Sequence, residues 1–284
     1  MVTLPTPREA AERLLGRAPD HISTLVRWRD HGAYRVDAGG DSFVVKLDDD
    51  PELVAREVAG HQRAAAAGVP VPELIMADDH CIAMRFVDGT PLHESATEAA
   101  WRAAGSALRQ VHDLTPGDLI GDGFGLAGTT WPEFVEALLE RELEGCGREL
   151  GFDPSQAKRV RRAFDDARPL LDQPVLVWCH GDCQPDHVLV DPHDDSVVAI
   201  IDWADHGKGD SAWDLAILSL DHTSHIDALL DGYGEVAVGA DRTRTVLSLY
   251  RVLRWLREAR WLAARSLPES AVSLEQATTW SPPR

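Results

Sequence analysis

The sequence contains no apolar run long enough to cross a lipid bilayer. Residues 1–10 have neither the basic end nor the apolar centre of a secretory signal. Only four cysteines are present in 284 residues, which is too few for a disulfide framework in a chain of this length. We therefore expect a cytoplasmic protein with free thiols and no membrane partner.

Basic side chains are also fewer than acidic ones. The chain has 28 Lys and Arg against 47 Asp and Glu, a net charge of −19. Residues 1–90 carry 10 basic and 15 acidic side chains, and the remaining residues carry a net charge of −14. Because negative charge repels phosphate backbones, this balance argues against a nucleic-acid partner and favours a cationic small-molecule substrate in the second part of the chain.

The first 90 residues are predicted to form a β-sheet lobe. Short β-type runs alternate with turn residues, which is typical of a meander of hairpins. The stretch 52–67 is rich in alanine and lies between Pro51 and Gly68, which favours a helix. A turn cluster at 88–91 marks the end of the lobe. The other predicted elements are a helix at 7–16 and strands at 22–28, 33–37, 42–47, 73–76 and 81–87.

A second lobe is expected at residues 91–284, because a chain of 284 residues exceeds the length at which single cores usually divide. This second lobe is predicted to be mainly helical. A β-rich island at 175–202 interrupts the helices, and the tail after Leu267 is expected to be loose. Helices are predicted at 94–113, 131–148, 155–171, 212–220 and 242–266, with Leu253, Trp255, Leu256 and Trp261 facing the core in the last of them.

Polar residues are concentrated in the loops of the β-rich island and just after it. The motifs are His180-Gly181-Asp182, Asp186-His187, Ile201-Asp202 and Asp210-Ser-Ala-Trp-Asp214. Partly buried carboxylates are costly unless a metal or hydrogen bonds satisfy them, so such a concentration favours a functional site. Each Asp taken alone could equally be a helix cap or a turn residue.

This arrangement resembles the aminoglycoside phosphotransferase family, in which His-Gly-Asp is followed by a metal-binding residue five positions after the Asp, then by Ile-Asp and by Asp-x-x-x-Asp-Leu-Ala. The resemblance covers nearly the whole chain. It implies an α+β, two-lobed protein-kinase-like fold, with an N-terminal antiparallel β-sheet lobe carrying one helix and a larger, mainly helical C-terminal lobe. It also implies Mg²⁺ and transfer of the γ-phosphate of ATP or GTP to a hydroxyl group.

The resemblance assigns roles to three residues of the island. Asp182 would be the catalytic carboxylate that orients the acceptor hydroxyl and takes its proton. Asp202 would hold Mg²⁺. His187 stands where the family usually has Asn, which resembles the macrolide phosphotransferase branch, and a neutral imidazole can also coordinate a metal.

In the first lobe, Lys46 and Glu57 match the kinase pair in which Lys grips the α- and β-phosphates and Glu holds the Lys. The first hairpin has no glycine-rich phosphate motif. Its Gly32 allows backbone amides to approach the triphosphate, although an ordinary turn explains this glycine equally well.

His180 is predicted to pack and hydrogen-bond within the catalytic loop, because no nucleophile accompanies it as a partner. Asp210 and Asp214 start a predicted helix and are expected to cap it or to pin the loop. Acidic residues of the later helices are the candidates for acceptor contacts, with exposed surface positions as the alternative. These candidates are Asp221, Asp227, Asp231 and Glu258.

Three alternatives remain beside an antibiotic kinase that confers resistance to aminoglycosides, basic tuberactinomycin peptides or macrolides. Relatives in the family include kinases of choline, homoserine and sugars. A non-catalytic nucleotide-binding module would need a missing residue, and none of the required side chains is missing. A zinc cluster could use Cys179, His180, Asp182, Cys183 and His187, but their spacing does not match a known zinc motif.

Overall fold

A five-stranded antiparallel sheet forms the first part of the chain. The computed structural model describes residues 4–28, 31–95, 97–115, 130–234 and 240–282, without the side chains of 240–242. The sheet has the order β1-β2-β3-β5-β4. Its strands are β1 (His21–Arg27), β2 (His31–Ala38), β3 (Asp41–Asp48), β4 (Leu74–Ala77) and β5 (Cys81–Arg85).

Two helices cover the two faces of this sheet. Thr6 and Glu9 form a capping box at the start of α1 (Pro7–Leu15), and Asp50 caps α2 (Pro51–Ala66). Successive strand residues point to opposite faces. The core under α1 therefore contains Cys81 and Ala83, whereas their neighbours Ile82 and Met84 pack with Val54 of α2.

The rest of the chain is mainly helical. Small sheets of order β6-β8-β9 and β10-β7 interrupt the helices. The helices are α3 (Glu98–His112), α4 (Trp131–Leu150), α5 (Pro154–Asp166), α6 (Arg168–Leu171), α7 (Ser211–Leu218), α8 (Ile226–Tyr233), α9 (Ala240–Ala264) and α10 (Ser270–Thr279), and the strands are β6 (Thr90–Pro91), β7 (Leu176–Cys179), β8 (Val188–Val190), β9 (Val197–Ile200) and β10 (Gly207–Asp210). The largest hydrophobic core lies here and includes the fully buried Trp101, Trp178, Trp203 and Trp213.

This architecture confirms the predicted α+β fold, with its N-terminal antiparallel sheet and mainly helical remainder. All four cysteines are free and buried, as expected. No helix in the described ranges is long and apolar enough to span a membrane.

Several local predictions were wrong. The helix expected at 94–113 begins only at Glu98, because Thr97 accepts a hydrogen bond from the backbone of Ala100 and caps it. The helix expected at 155–171 is divided into α5 and α6 at Ala167. Trp261 does not face the core: it is 41% exposed and meets Trp28 edge-on, with ring centroids 5.5 Å apart.

The tail after Leu267 was expected to be loose. Instead, it forms α10 and packs on α9. Trp280 ends this segment with 8% of its surface exposed. Its indole N–H donates to the hydroxyl of Ser248 at 3.0 Å. The composition of the tail is polar, but the large aromatic side chain of Trp280 attaches it to α9.

We predict that Trp280→Ala lowers the free energy of unfolding by about 2–4 kcal/mol, because it removes a buried indole and leaves a cavity. The matched control is Trp261→Ala, which removes the same side chain from an exposed position and is expected to cost less than about 1 kcal/mol. Urea unfolding followed by circular dichroism measures both. Equal losses would show that the tail is not anchored by Trp280.

Candidate active site

The His180-Gly181-Asp182 motif lies in the loop between β7 and β8. Gly181 has φ +90°, a conformation that favours glycine. A Cβ atom at this position would lie 1.9 Å from the carbonyl oxygen of Asp205. The loop can therefore approach the chain that follows Asp202 only because residue 181 has no side chain.

The fully buried carboxylate of Asp214, on α7, holds this loop. It accepts hydrogen bonds from the backbone N–H groups of His180 at 2.7 Å and Gly181 at 2.9 Å. His112 of α3 donates to the same carboxylate from Nε2, at 3.0 Å. The indole of Trp213 donates to the carbonyl of Gly181 at 3.0 Å. These bonds satisfy the buried charge and fix the loop on α7.

His180 is fully buried and both of its ring nitrogens are engaged. Nε2 donates to the carbonyl of Ile201 at 2.9 Å, and Nδ1 accepts from the backbone N–H of Asp182 at 3.3 Å. Burial lowers the pKa of His180, so the ring is neutral. It connects the loop to the strand end that carries Asp202, which is a positioning arrangement without a free nitrogen for proton transfer.

Asp210 is the N-cap of α7 and accepts a hydrogen bond from the backbone of Ala212. Its other carboxylate oxygen accepts from the hydroxyl of Tyr250 on α9, at 3.0 Å. Asp210 therefore joins two helices rather than facing the loop motif directly.

The two carboxylate oxygens of Asp182 have different neighbours, a side-chain amide at one and a guanidinium at the other. Gln184 donates to Oδ2 at 2.9 Å. Nη2 of Arg254, on α9, lies 2.9 Å from Oδ1. Burial opposes ionisation of this carboxyl, but the charges of Arg254 and His187 outweigh burial and lower the pKa of Asp182. The residue is therefore a carboxylate at neutral pH.

Asp202 follows β9 and has φ +67°, an uncommon left-handed conformation for a residue with a side chain. Its Oδ1 lies 3.1 Å from Nζ of Lys46. Desolvation opposes its charge, but Lys46 and then His187 outweigh it and lower the pKa of Asp202 well below its usual range. An ionised carboxylate with 42% of its side chain exposed thus follows β9 on a strained backbone.

Lys46 joins the two parts of the chain. From β3 it contacts both oxygens of Glu57 on α2, at 2.6 and 2.7 Å, as well as Asp202. Burial disfavours the ammonium form, but the attraction of Asp202 and Glu57 outweighs burial and raises the pKa of Lys46. Gly60 lets α2 approach the turn after Asp202, since a Cβ there would lie 2.9 Å from the carbonyl of Trp203.

His187 lies between the loop and Asp202. Its Nδ1 donates to the carbonyl of Asp182 at 2.8 Å. Its Nε2 lies 3.5 Å from Oδ2 of Asp202. An imidazole nitrogen that has lost its proton and a neighbouring ionised carboxylate together form a donor pair that suits a divalent cation.

Two of the four acceptor candidates, Asp221 and Glu258, lie close enough to interact electrostatically, and the other two are paired with arginines. Asp227 and Asp231 are exposed and form ion pairs with Arg244 and Arg102, at 2.6 Å in each case. Asp221 accepts a hydrogen bond from the indole of Trp255 at 3.0 Å. Glu258 is half-buried on α9, where burial raises its pKa.

Gly32 is not in a turn as the sequence suggested. It lies inside β2, where it pairs with Arg27 of β1 and Leu47 of β3. A Cβ at this position would lie 2.9 Å from the hydroxyl of Tyr34.

The sequence did not single out Arg254. Nothing in the helix periodicity distinguishes Arg254 from Arg251 or Arg257. Its position beside Asp182 depends on how α9 packs against α7.

The five residues of the zinc alternative do not form a cluster. Within the described ranges, the side chains that could share a metal ion are His112, Cys179 and Asp214. All three are buried, and hydrogen bonds within the core engage them: His112 with Tyr233 and Asp214, and the thiol of Cys179 with the carbonyl of Asp210.

Comparison with known proteins defines the class. The model of the phosphotransferase enzyme family matches residues 26–256, which is more than half of the chain. The protein therefore belongs to the phosphotransferase enzyme family, and the resemblance seen in the motifs is confirmed.

Individual relatives are distant. Hygromycin-B 4-O-kinase of Escherichia coli is 23% identical over 225 residues, which cover 73% of this chain and only 65% of that enzyme. The macrolide 2'-phosphotransferase MphH of Brachybacterium faecium superimposes with a TM-score of 0.66 at 20% identity, covering 98% of both chains. A Thermobifida fusca protein described as a candidate fructosamine-3-kinase gives a TM-score of 0.67 at 26% identity, over 96% of this chain and 99% of that one.

We predict that Gly181→Ala lowers the free energy of unfolding by at least about 3 kcal/mol, because its Cβ overlaps a backbone carbonyl and the left-handed φ adds strain. The matched control is Gly151→Ala, since Gly151 has φ +69° with no atom within 4 Å of its Cβ position. That variant carries only the conformational cost of about 1 kcal/mol. Urea unfolding measures both, and similar losses would show that the loop can move away from Asp205.

Proposed function

We propose that this protein is a small-molecule kinase that moves the γ-phosphate of ATP or GTP to a hydroxyl group. The observation that carries the proposal is the contact of Lys46 with Glu57 and Asp202, which joins β3, α2 and the end of β9. This is the arrangement by which kinases hold nucleotide phosphates. His187 links Asp182 to this arrangement, because its Nδ1 donates to the carbonyl of Asp182 and its Nε2 lies 3.5 Å from Asp202.

In the proposed reaction, Asp182 accepts a hydrogen bond from the acceptor hydroxyl and orients its oxygen toward the γ-phosphorus. A bond forms between that oxygen and phosphorus while the bond from phosphorus to the bridging oxygen of the nucleoside diphosphate breaks. The hydroxyl proton passes to Asp182 Oδ2, where Gln184 now donates. Lys46 contacts the α- and β-phosphates, and Glu57 keeps Lys46 in place.

Asp202 and His187 are the residues that would hold Mg²⁺, because Asp202 is ionised and Nε2 of His187 lies 3.5 Å from its Oδ2. The ion supplies charge neutralisation to the phosphates when it is bound. Carboxylate oxygen is the preferred ligand of Mg²⁺, whereas imidazole also suits Mn²⁺. Gly32 remains the candidate for backbone contact with the phosphates.

The proposed acceptor is an antibiotic of the aminoglycoside, tuberactinomycin or macrolide class, with resistance as the outcome. Family membership and the hygromycin kinase relative support this choice. The net charge of −19 supports a cationic acceptor, with Asp221 and Glu258 as the candidate contacts nearest to α9. Asp227 and Asp231 are weaker candidates, since arginines already neutralise them.

A sugar-amine metabolite kinase is the second candidate. The likeness to the Thermobifida fusca protein favours it, because the identity of 26% extends over nearly the whole of both chains. In either case we assign residues 1–90 to nucleotide binding and 91–284 to catalysis and acceptor binding, and we expect the reaction in the cytoplasm.

We predict that Asp182→Asn reduces kcat by about 10²–10⁴, because the amide cannot take the hydroxyl proton, while the Kd for nucleotide changes less than about twofold. Transfer of labelled γ-phosphate from ATP and from GTP measures this loss, with aminoglycosides, macrolides, tuberactinomycins and fructosamines as acceptors. The matched control is Asp165→Asn on the exposed face of α5. Labelling of no acceptor by the unmodified protein, with nucleotide still bound, would favour a non-catalytic nucleotide-binding module.

We predict that His187→Asn shifts metal preference from Mn²⁺ toward Mg²⁺, because an amide oxygen replaces the imidazole nitrogen. Nucleotide affinity is measured by calorimetry with each metal, so the test does not depend on knowing the acceptor. His193→Asn, on an exposed loop, is the matched control and should leave the ratio of the two affinities unchanged. An unchanged ratio in His187→Asn would place His187 outside the metal site.

A further inference from the structure

Arg254 brings a buried positive charge to the proposed catalytic carboxylate. It is 8% exposed, and its Nη2 lies 2.9 Å from Oδ1 of Asp182. A structural ion pair at such a site usually has two parallel N–H···O bonds. Here the distance is short, but Oδ1 of Asp182 accepts no hydrogen bond from any described residue. The guanidinium therefore contacts the carboxylate without aiming an N–H group at it.

One donor of Arg254 is clearly unused. Its Nε is buried and has no acceptor among the residues that the structure describes. A buried N–H group without an acceptor is costly. An unsatisfied buried donor in a native site requires an explanation. A ligand oxygen would satisfy it and would also explain its position beside the proposed catalytic residue.

Arg257, one turn further along α9, extends this positive region. It is half-buried, and no carboxylate of the described chain lies within 4 Å of it. Burial and the neighbouring Arg254 lower its pKa, while the more distant Asp205 and Asp182 oppose that shift. By contrast Arg260, on the same helix, pairs with two glutamates, Glu142 and Glu149. Arg244 and Arg260 of α9 thus pair with carboxylates away from the loop, whereas the ion-pair partner of Arg254 is Asp182 itself and Arg257 has none among the described residues.

Distances favour the transferring phosphoryl group as the missing partner. A hydroxyl held by Asp182 lies about 2.6–3.2 Å from its carboxylate, and the phosphorus it attacks lies about 3–3.5 Å beyond. The phosphoryl oxygens therefore come within roughly 6 Å of the carboxylate that Arg254 already contacts. Lys46 is assigned to the α- and β-phosphates, so the transferring phosphoryl group needs a different cation.

We propose that Arg254, supported by Arg257, binds the equatorial oxygens of the phosphoryl group during transfer. The inference rests on the proposed kinase function and adds to it a residue from α9, far along the chain from the loop and strand motifs. In the resting protein Arg254 holds Asp182. When the nucleotide and acceptor are bound, the guanidinium of Arg254 donates to the phosphoryl oxygens, where negative charge develops during transfer.

Calorimetric binding of Mg–ADP and of Mg–ADP with aluminium fluoride, an analogue of the phosphoryl group in flight, tests the inference without an acceptor. In Arg254→Gln we expect the fluoride complex to weaken more than about 30-fold, because an arginine placed on the transferring group contributes 10³–10⁵ in rate. The affinity for Mg–ADP alone should change less than about twofold. Arg254→Lys keeps the charge but not the planar fork and should lie between. Arg257→Gln should weaken the fluoride complex by a smaller factor.

The matched control is Arg244→Gln, about 15 Å earlier on the same helix, whose exposed ion pair with Asp227 contributes little. It should leave both affinities unchanged. Equal weakening of both complexes in Arg254→Gln would overturn the inference and assign Arg254 a purely structural role. An unchanged fluoride complex with a raised acceptor KM would also overturn it and assign the arginine to a group on the acceptor.

Two further outcomes separate this inference from the proposed function. If the unmodified protein binds neither complex, the kinase proposal itself fails. If circular dichroism shows Arg254→Gln to be unfolded, Arg254→Lys and Arg257→Gln decide the question, because neither leaves the Asp182 carboxylate without a neighbouring positive charge.

Discussion

The site depends on one buried carboxylate, that of Asp214. A charged group without solvent must have partners, and here they are two consecutive backbone N–H groups of the His180-Gly181-Asp182 loop and the imidazole of His112. Loop, α3 and α7 are therefore fixed relative to one another by the need to satisfy a single charge. Removing either side of such a contact costs several kcal/mol, which keeps the loop in one conformation.

A second electrostatic contact joins the sheet to the helical part of the chain. Most exposed ion pairs add little to stability, but Lys46 is only 25% exposed, and it shares its charge between Glu57 and Asp202. These two contacts of Lys46 align β3, α2 and the end of β9 before any ligand binds. Nucleotide phosphates that enter this cleft would meet a preorganised charge and lose little free energy to reorganisation.

Net charge turned out to be a poor guide to the charge at the site. The chain as a whole carries −19, yet the helix face beside Asp182 presents Arg254 and Arg257. Coulombic interactions at a few ångströms in a partly desolvated cleft far exceed the screened field of distant surface carboxylates. In the proposed reaction, the overall field favours a cationic acceptor, while the local arginines bind the phosphoryl group.

The sequence by itself determined the fold class, the order of strands and helices up to residue 90, and the loop motifs, because alternation, capping residues and short polar loops act over a few neighbouring positions. It also selected Lys46, Glu57 and Asp202, which the fold brings into contact. Only the tertiary structure decided that the tail is anchored and that Arg254 faces Asp182. Both depend on packing between helices distant in sequence, and helical periodicity specifies a buried face without specifying what lies opposite it.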